Sequence, residues 1–285
     1  MAGIGKELMD TYKNGGILIK LIFINSIIFI IQGIIGLFWA DLFKNWLSMP
    51  SDWQELIYKP WTLVTYNFYH EGVLHFFFNI LNLFWFGKIF LIYFNDKKLL
   101  SLYLLGGIIG GMLFAVVYNA FPAKFPANHL LGASASIMAI IIAAAVYAPN
   151  FKVYMVFLGE VKLIYIGLFS FILSLILINS ENAGGNIAHI GGAIFGYLWV
   201  KQYQRGVEIT GWFAGILDFF GSLFKRRKMK VVHKQPPRDE LEYNHQKNVN
   251  QKEIDRILDK ISKAGYDSLT KSEKETLFHL SNKKS

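Results

Sequence analysis

Runs of about 20 apolar residues recur along this chain, and a run that long with few charges is the length needed to cross the hydrocarbon core of a bilayer. The first covers residues 17–38 and carries one charge, Lys20, near its start. Others follow at residues 63–92, 99–118, 131–147, 162–178 and 186–203. Only 17% of the 285 residues are charged and 53% are hydrophobic, against roughly a quarter charged in an ordinary soluble domain. The expected fold class is therefore an all-α membrane protein with six transmembrane helices. No cysteine is present, which excludes disulfides, thiolate chemistry and Cys-based metal sites.

The segments between the runs refine this expectation. Residues 1–16 read as a polar N-terminus, and no small-x-small cleavage pattern follows the first run, so that run is expected to stay as the first helix. Residues 39–60 are rich in Trp and Leu and broken by Pro50 and Pro60, a composition that suits the membrane interface. Small residues recur every four positions at Gly106/Gly110, Gly107/Gly111, Ala135/Ala139/Ala143 and Gly192/Gly196, so these helices should pack closely, with the fourth in the middle. The formal charge of +9 does not imply nucleic acid, because the basic residues fall between and after the apolar runs. Lys97, Lys98, Lys152, Lys201, Arg205 and the cluster 225–230 fall on one side, and only Lys44, Lys59 and Lys124 on the other. This asymmetry predicts that both termini are cytoplasmic.

Beyond the core at 17–203, residues 204–232 read as an interfacial amphipathic helix with a basic segment, and 233–250 as a flexible linker. Residues 251–285 read as a small helical segment, with Gly265 as a helix stop and Thr270/Glu273 as a capping box. Nothing in the residues of this segment identifies a partner.

Polar groups inside the apolar runs are the candidates for chemistry, because they are costly there. Ser134 follows Gly132 at the start of a run, where backbone N–H groups lack intrahelical partners and negative charge is favoured. A serine needs a base, and His189 is the candidate, lying in the small-residue stretch Ala188–Gly192. No Asp or Glu in a span stands ready to orient it, so the pair reads as a dyad. His75 and Asn79 share a helix face and are suited to hold an oxyanion, with His70 at the helix entrance; interhelical hydrogen bonding would explain them equally. Ser136 reads as a packing residue. A metal site is disfavoured, since neither a carboxylate nor a close His pair accompanies the histidines, and no cofactor is expected.

With these residues assembled, the chain resembles the rhomboid intramembrane serine proteases over about residues 17–203. The resemblance rests on His70-x4-His75-x3-Asn79 in the second span, Gly132-Ala133-Ser134-Ala135 at the start of the fourth, and Ala188-His189-x-x-Gly192 in the sixth. It implies a six-helix rhomboid bundle with Ser134 as nucleophile and His189 as general base. It further implies an oxyanion site from His75, Asn79 and the Ser134 backbone, with Gly132 and His70 beside it, and the 39–60 connection as the family's first loop. Ala135 replaces the commoner glycine after the nucleophile, and Met138 stands where family members often carry an aromatic ring. The partners implied are transmembrane protein substrates and the lipid bilayer, and the expected location is a bacterial inner membrane. The alternatives are a non-catalytic rhomboid-like protein that binds transmembrane helices, whose relatives generally lack the serine or histidine, and a transporter, which the absence of an internal repeat disfavours.

Overall fold

The computed structural model describes residues 2–224 and 240–281, which fall into two units, Met1–Lys225 and Arg226–Ser285. The first begins with α1 (Ala2–Asn14) and α2 (Ile17–Gly36). The polar N-terminus expected from sequence is thus helical, with Leu8, Met9 and Tyr12 exposed on it. The start of α2 is closed by another helix's carboxylate, since Ile17 N–H donates to Asp96 Oδ2 at 2.9 Å.

The 39–60 connection folds as α3 (Ala40–Leu47), the short strand β1 (Met49–Pro50) and α4 (Trp53–Tyr58). Asp52 caps α4 by accepting from Gln54 N–H at 2.6 Å. Trp39, Trp46 and Tyr58 are exposed, and Trp46 stacks on Trp61.

The single run expected over 63–92 is broken. Its first part forms α5 (Thr62–Thr65) and a 3-10 turn over Tyr66–Phe68, and α6 (Val73–Tyr93) starts only after Gly72, at φ +87°. Tertiary hydrogen bonds explain the break: Tyr66 Oη donates to the Gly107 carbonyl at 2.6 Å, and the Tyr66 carbonyl accepts from Gly132 N–H at 2.9 Å. Next come α7 (Asp96–Ala120), capped by Asn95, then β2 (His129–Leu130) and α8 (Ser134–Tyr147). β1 and β2 pair antiparallel, tying the interfacial connection to the loop that leads into α8. Residues 148–161, between the apolar runs at 131–147 and 162–178, carry most of a hairpin of β3 (Lys152–Met155) and β4 (Gly159–Lys162). The unit ends with α9 (Leu163–Ile176), α10 (Ala183–Gln204) and α11 (Gly211–Phe224). On α11, Trp212, Ile216 and Phe219 are exposed, while the basic cluster expected after it lies outside the described residues.

Helices α2, α6, α7, α8, α9 and α10 make the bundle. By length and composition α2, α6 and α7 can each cross a membrane, while α8 is shorter, about 21 Å at 1.5 Å per residue. Every residue from Ala135 to Ala145 is buried, which makes α8 the central helix, packed against α10, α7, α6 and α9. Small residues allow this approach. A Cβ on Gly192 would lie 2.1 Å from the Ala135 carbonyl oxygen, and one on Gly106 would lie 2.5 Å from the Ala139 Cβ. The rest of the core is apolar and aromatic, with Leu83, Phe90, Tyr103, Ile140 and Trp199 fully buried.

The second unit contains α12 (Glu240–Ala264), a 3-10 turn over Tyr266–Ser268 and α13 (Lys271–Ser281). Residues 240–250, assigned from sequence to the linker, belong to α12; residues 233–239 lie outside the described residues. Gly265 ends α12 at φ +78°. Thr270 and Glu273 form the expected capping box: Glu273 Oε2 accepts from Thr270 N–H at 2.8 Å, and Thr270 Oγ1 accepts from Glu273 N–H at 3.3 Å.

Candidate active site

The loop before α8 sets the site. Gly132 has φ +98°, a conformation that L side chains rarely adopt, and this turn brings Ser134 to the first position of α8. No side chain caps that end, so the first N–H groups of α8 have neither intrahelical nor side-chain cap partners. The Ala133 N–H points toward His70, whose Nε2 accepts at 3.4 Å.

Ser134 Oγ and His189 Nε2 are 2.7 Å apart. The residues lie 55 positions apart in sequence, and the close packing of α10 on α8 at Gly192 and Ala135 brings them together. Both side chains are half-buried. The two residues expected from sequence to act as a pair therefore form a hydrogen-bonded pair.

His70 and His75 lie beside this pair. Their rings meet edge to face with centroids 5.4 Å apart, and His75 lies against Gly132, where a Cβ would come within 2.7 Å of the imidazole Nε2. His70 is fully buried, and its backbone is held from α2, because the Gln32 side chain bonds both the carbonyl and the N–H of His70. Asn79 stands one turn beyond His75, with Nδ2 donating to the His75 carbonyl at 2.8 Å and Oδ1 buried without a hydrogen bond. Thus His70, His75, Gly132 and Ser134 share one locality, and Asn79 joins it through the α6 backbone.

Ser136 belongs to a different group. Fully buried, it donates to Asn67 Oδ1 at 2.7 Å. The Asn67 carbonyl accepts from Tyr103 Oη, which itself accepts from Asn25 Nδ2, so a chain of buried polar groups links α2, the 3-10 turn, α7 and α8. His129 is also elsewhere, its Nδ1 3.0 Å from Ser48 Oγ, and its basicity is lowered by burial, with Lys44 and Lys59 adding to this and Glu55 opposing it. Among the described residues no three His, Asp or Glu side chains come together as a possible metal site.

Sequence reasoning missed one residue. Ser174 of α9 is buried, and its Oγ is 3.3 Å from His189 Nδ1, on the far side of the imidazole from Ser134. The signal was available as Ser170 and Ser174, two serines four apart in a largely apolar helix.

The Rhomboid domain family matches residues 58–205, from the end of α4 to the end of α10. Residues 240–283 match a family of unknown function (DUF6576). RHOMBOID-like protein 12, mitochondrial, of Arabidopsis thaliana is 28% identical over 161 residues, which cover 51% of this chain and 47% of that protein, so the chain spans about half the length of this relative. The Rhomboid match covers the whole stretch from His70 to His189 and just over half of the chain, and on this ground the chain belongs to the rhomboid family of membrane proteins.

Proposed function

We propose that this protein is an intramembrane serine endopeptidase that hydrolyses peptide bonds in or near the transmembrane segments of other membrane proteins. The observation that carries the reading is the 2.7 Å contact between Ser134 Oγ and His189 Nε2. At this distance the imidazole takes the hydroxyl proton as Oγ attacks a peptide carbonyl, and returns it to the leaving amine when the C–N bond breaks. Water, activated by the same imidazole, then hydrolyses the acyl-enzyme. The negative oxygen of each tetrahedral intermediate is stabilised by the Ser134 N–H at the uncapped start of α8, together with the His75 and Asn79 side chains.

A substrate helix must unwind before attack, because its carbonyls are engaged in i to i−4 hydrogen bonds. The preferred substrates are therefore transmembrane segments with small or helix-weakening residues near the outer end. The proposed setting is a bacterial inner membrane with both termini cytoplasmic, on the distribution of Lys and Arg. In that orientation Ser134 and His189, each near the start of its helix, face the outer side.

The test is cleavage of a single-span reporter substrate by the protein reconstituted in liposomes, beside Ser134→Ala and His189→Ala. Cleavage by the wild type alone, with each variant reduced by at least about 10³-fold as for members of one catalytic unit, supports the reading. A wild type that neither cuts a panel of substrates nor reacts with a serine-directed phosphonate would overturn it in favour of a non-catalytic protein that binds transmembrane helices.

A further inference from the structure

We propose that Ser174 is a positioning residue for His189: its side-chain oxygen accepts the Nδ1 proton, which fixes the tautomer whose Nε2 lone pair faces Ser134. The proposal rests on the protease reading above and adds to it a third residue, on a helix that carries none of the sequence motifs.

The placement of the hydrogens fixes the roles of the three groups. Ser174 Oγ is 3.0 Å from the Ser170 carbonyl, one turn back on α9, and the hydroxyl donates to it. This back-bonding is how a serine satisfies its donor in an apolar helix. A hydroxyl has one hydrogen and two lone pairs, so once that hydrogen is committed the oxygen can only accept. His189 Nδ1, at 3.3 Å, must then carry the proton in this contact. A neutral imidazole with its proton on Nδ1 has a bare Nε2, and Nε2 is the nitrogen 2.7 Å from Ser134 Oγ. The opposite tautomer would point an N–H at Ser134 and could not accept its proton.

The surroundings leave this task to Ser174. Among the described residues the hydrogen-bond partners of the His189 ring are Ser134 and Ser174, and no carboxylate bonds to it. Met138 packs with Ile142 and Ala193, one turn beyond His189 on α10, and offers no acceptor for Nδ1. Ser174 itself is held in place: it is only 4% exposed, and α9 is packed so tightly on α8 that a Cβ on Gly167 would lie 2.8 Å from the Ala145 Cβ. When His189 takes up the serine proton, the Nδ1–H bond to Ser174 becomes charge-assisted and strengthens as the tetrahedral intermediate forms. The serine thus does by a neutral dipole what a buried carboxylate does in a Ser-His-Asp arrangement.

The test uses the full-length protein in liposomes, with wild type, Ser134→Ala, Ser174→Ala and Ser174→Thr compared for cleavage of the reporter, phosphonate labelling of Ser134 and thermal unfolding. Ser174→Ala is expected to lower kcat and the labelling rate about 10- to 30-fold, part of the 10²–10⁴ that a positioned base contributes, with KM unchanged. Ser174→Thr keeps the oxygen and the back-bond and is expected to recover most of the rate. A structural role would instead lower the unfolding temperature and change KM, without rescue by threonine. The proposal is overturned if Ser174→Ala keeps its kcat, or if Ser174→Thr is as slow as Ser174→Ala while equally stable. Failure of the protease reading would look different, since wild type and Ser134→Ala would then be equally inert.

Discussion

The Gly132 backbone and the His75 imidazole meet so closely that a single added Cβ on Gly132 would stand 2.7 Å from the ring Nε2. With φ at +98°, Gly132→Ala meets two obstacles together: a strained backbone, at about 1–3 kcal/mol, and an imidazole that must move from its place beside Ser134. The expected outcome is a folded protein with cleavage reduced by about 10² or more. Gly72→Ala separates the two effects, because Gly72 also has a positive φ, +87°, but a Cβ there meets nothing within 4 Å. It should lower the unfolding temperature while leaving kcat largely in place, and equal losses of activity in the two variants would show that strain alone accounts for both.

Gly192→Ala tests the packing that joins the two halves of the site. Its Cβ would lie 2.1 Å from the Ala135 carbonyl oxygen, a backbone atom that cannot rotate aside, so α10 must move away from α8. Ser134 and His189 sit on these two helices, and their 2.7 Å contact should lengthen. We expect loss of phosphonate labelling and lowered thermal stability. Gly33→Ala on α2, with open space at its Cβ, should be neutral in both measurements.

Ser136 lies two residues from Ser134 and should behave in the opposite way. Its hydroxyl is bonded to Asn67 Oδ1 in the buried polar chain. Ser136→Ala leaves Asn67 Oδ1 without this donor and should cost about 0.5–2 kcal/mol, the span found for interhelical bonds in membranes, while kcat stays within about threefold. A kcat as low as that of Ser134→Ala in a protein of normal stability would count against the assignment of Ser134 as nucleophile.

The parts of this structure that the sequence made legible are those where one physical requirement leaves few residue choices. Tight helix contact in lipid demands small residues, so the four-residue spacings at Gly106/Gly110, Ala135/Ala139 and Gly192/Gly196 mark the α7–α8–α10 contacts. The fourth helix was expected in the middle for the same reason, and α8 is central. The entrance to α6 was legible, since His70 was expected there, but the separate α5 and 3-10 turn before it were not, because they depend on Tyr66 bonding to Gly107 and Gly132, about 40 and 66 residues away, and local hydropathy carries no trace of those partners. The β3–β4 hairpin was hidden by its length of four residues per strand, and α1 by its low hydrophobicity. The contact between Ser134 and His189 was anticipated from residue types, but Ser174 was not. A serine in an apolar helix usually bonds only to its own backbone, and its second neighbour here lies on another helix.

The capping box of the second unit makes a prediction in which pH is the variable. The Glu273 carboxyl is held down to about 2, first by the Thr270 N–H, then by the Lys260 ammonium at 2.9 Å, and further by the Thr270 hydroxyl. The folded tail therefore favours the ionised carboxylate over the value of about 4.3 expected in an unfolded chain. For a carboxyl shifted in this direction, the stabilisation is fully present above the unfolded value and is lost as pH falls through the window from about 4.3 to about 2. Protonation removes the charge that Lys260 faces and weakens the acceptor for Thr270 N–H, so the first turn of α13 should fray while α12 is affected less. Amide exchange in the full-length protein measures this residue by residue: the Thr270 amide should lose protection between pH 5 and pH 2. In Glu273→Gln the same amide should be less protected at pH 5 and nearly insensitive to acid across that window. Matching pH dependence in wild type and Glu273→Gln would mean that another group controls the acid response of α13.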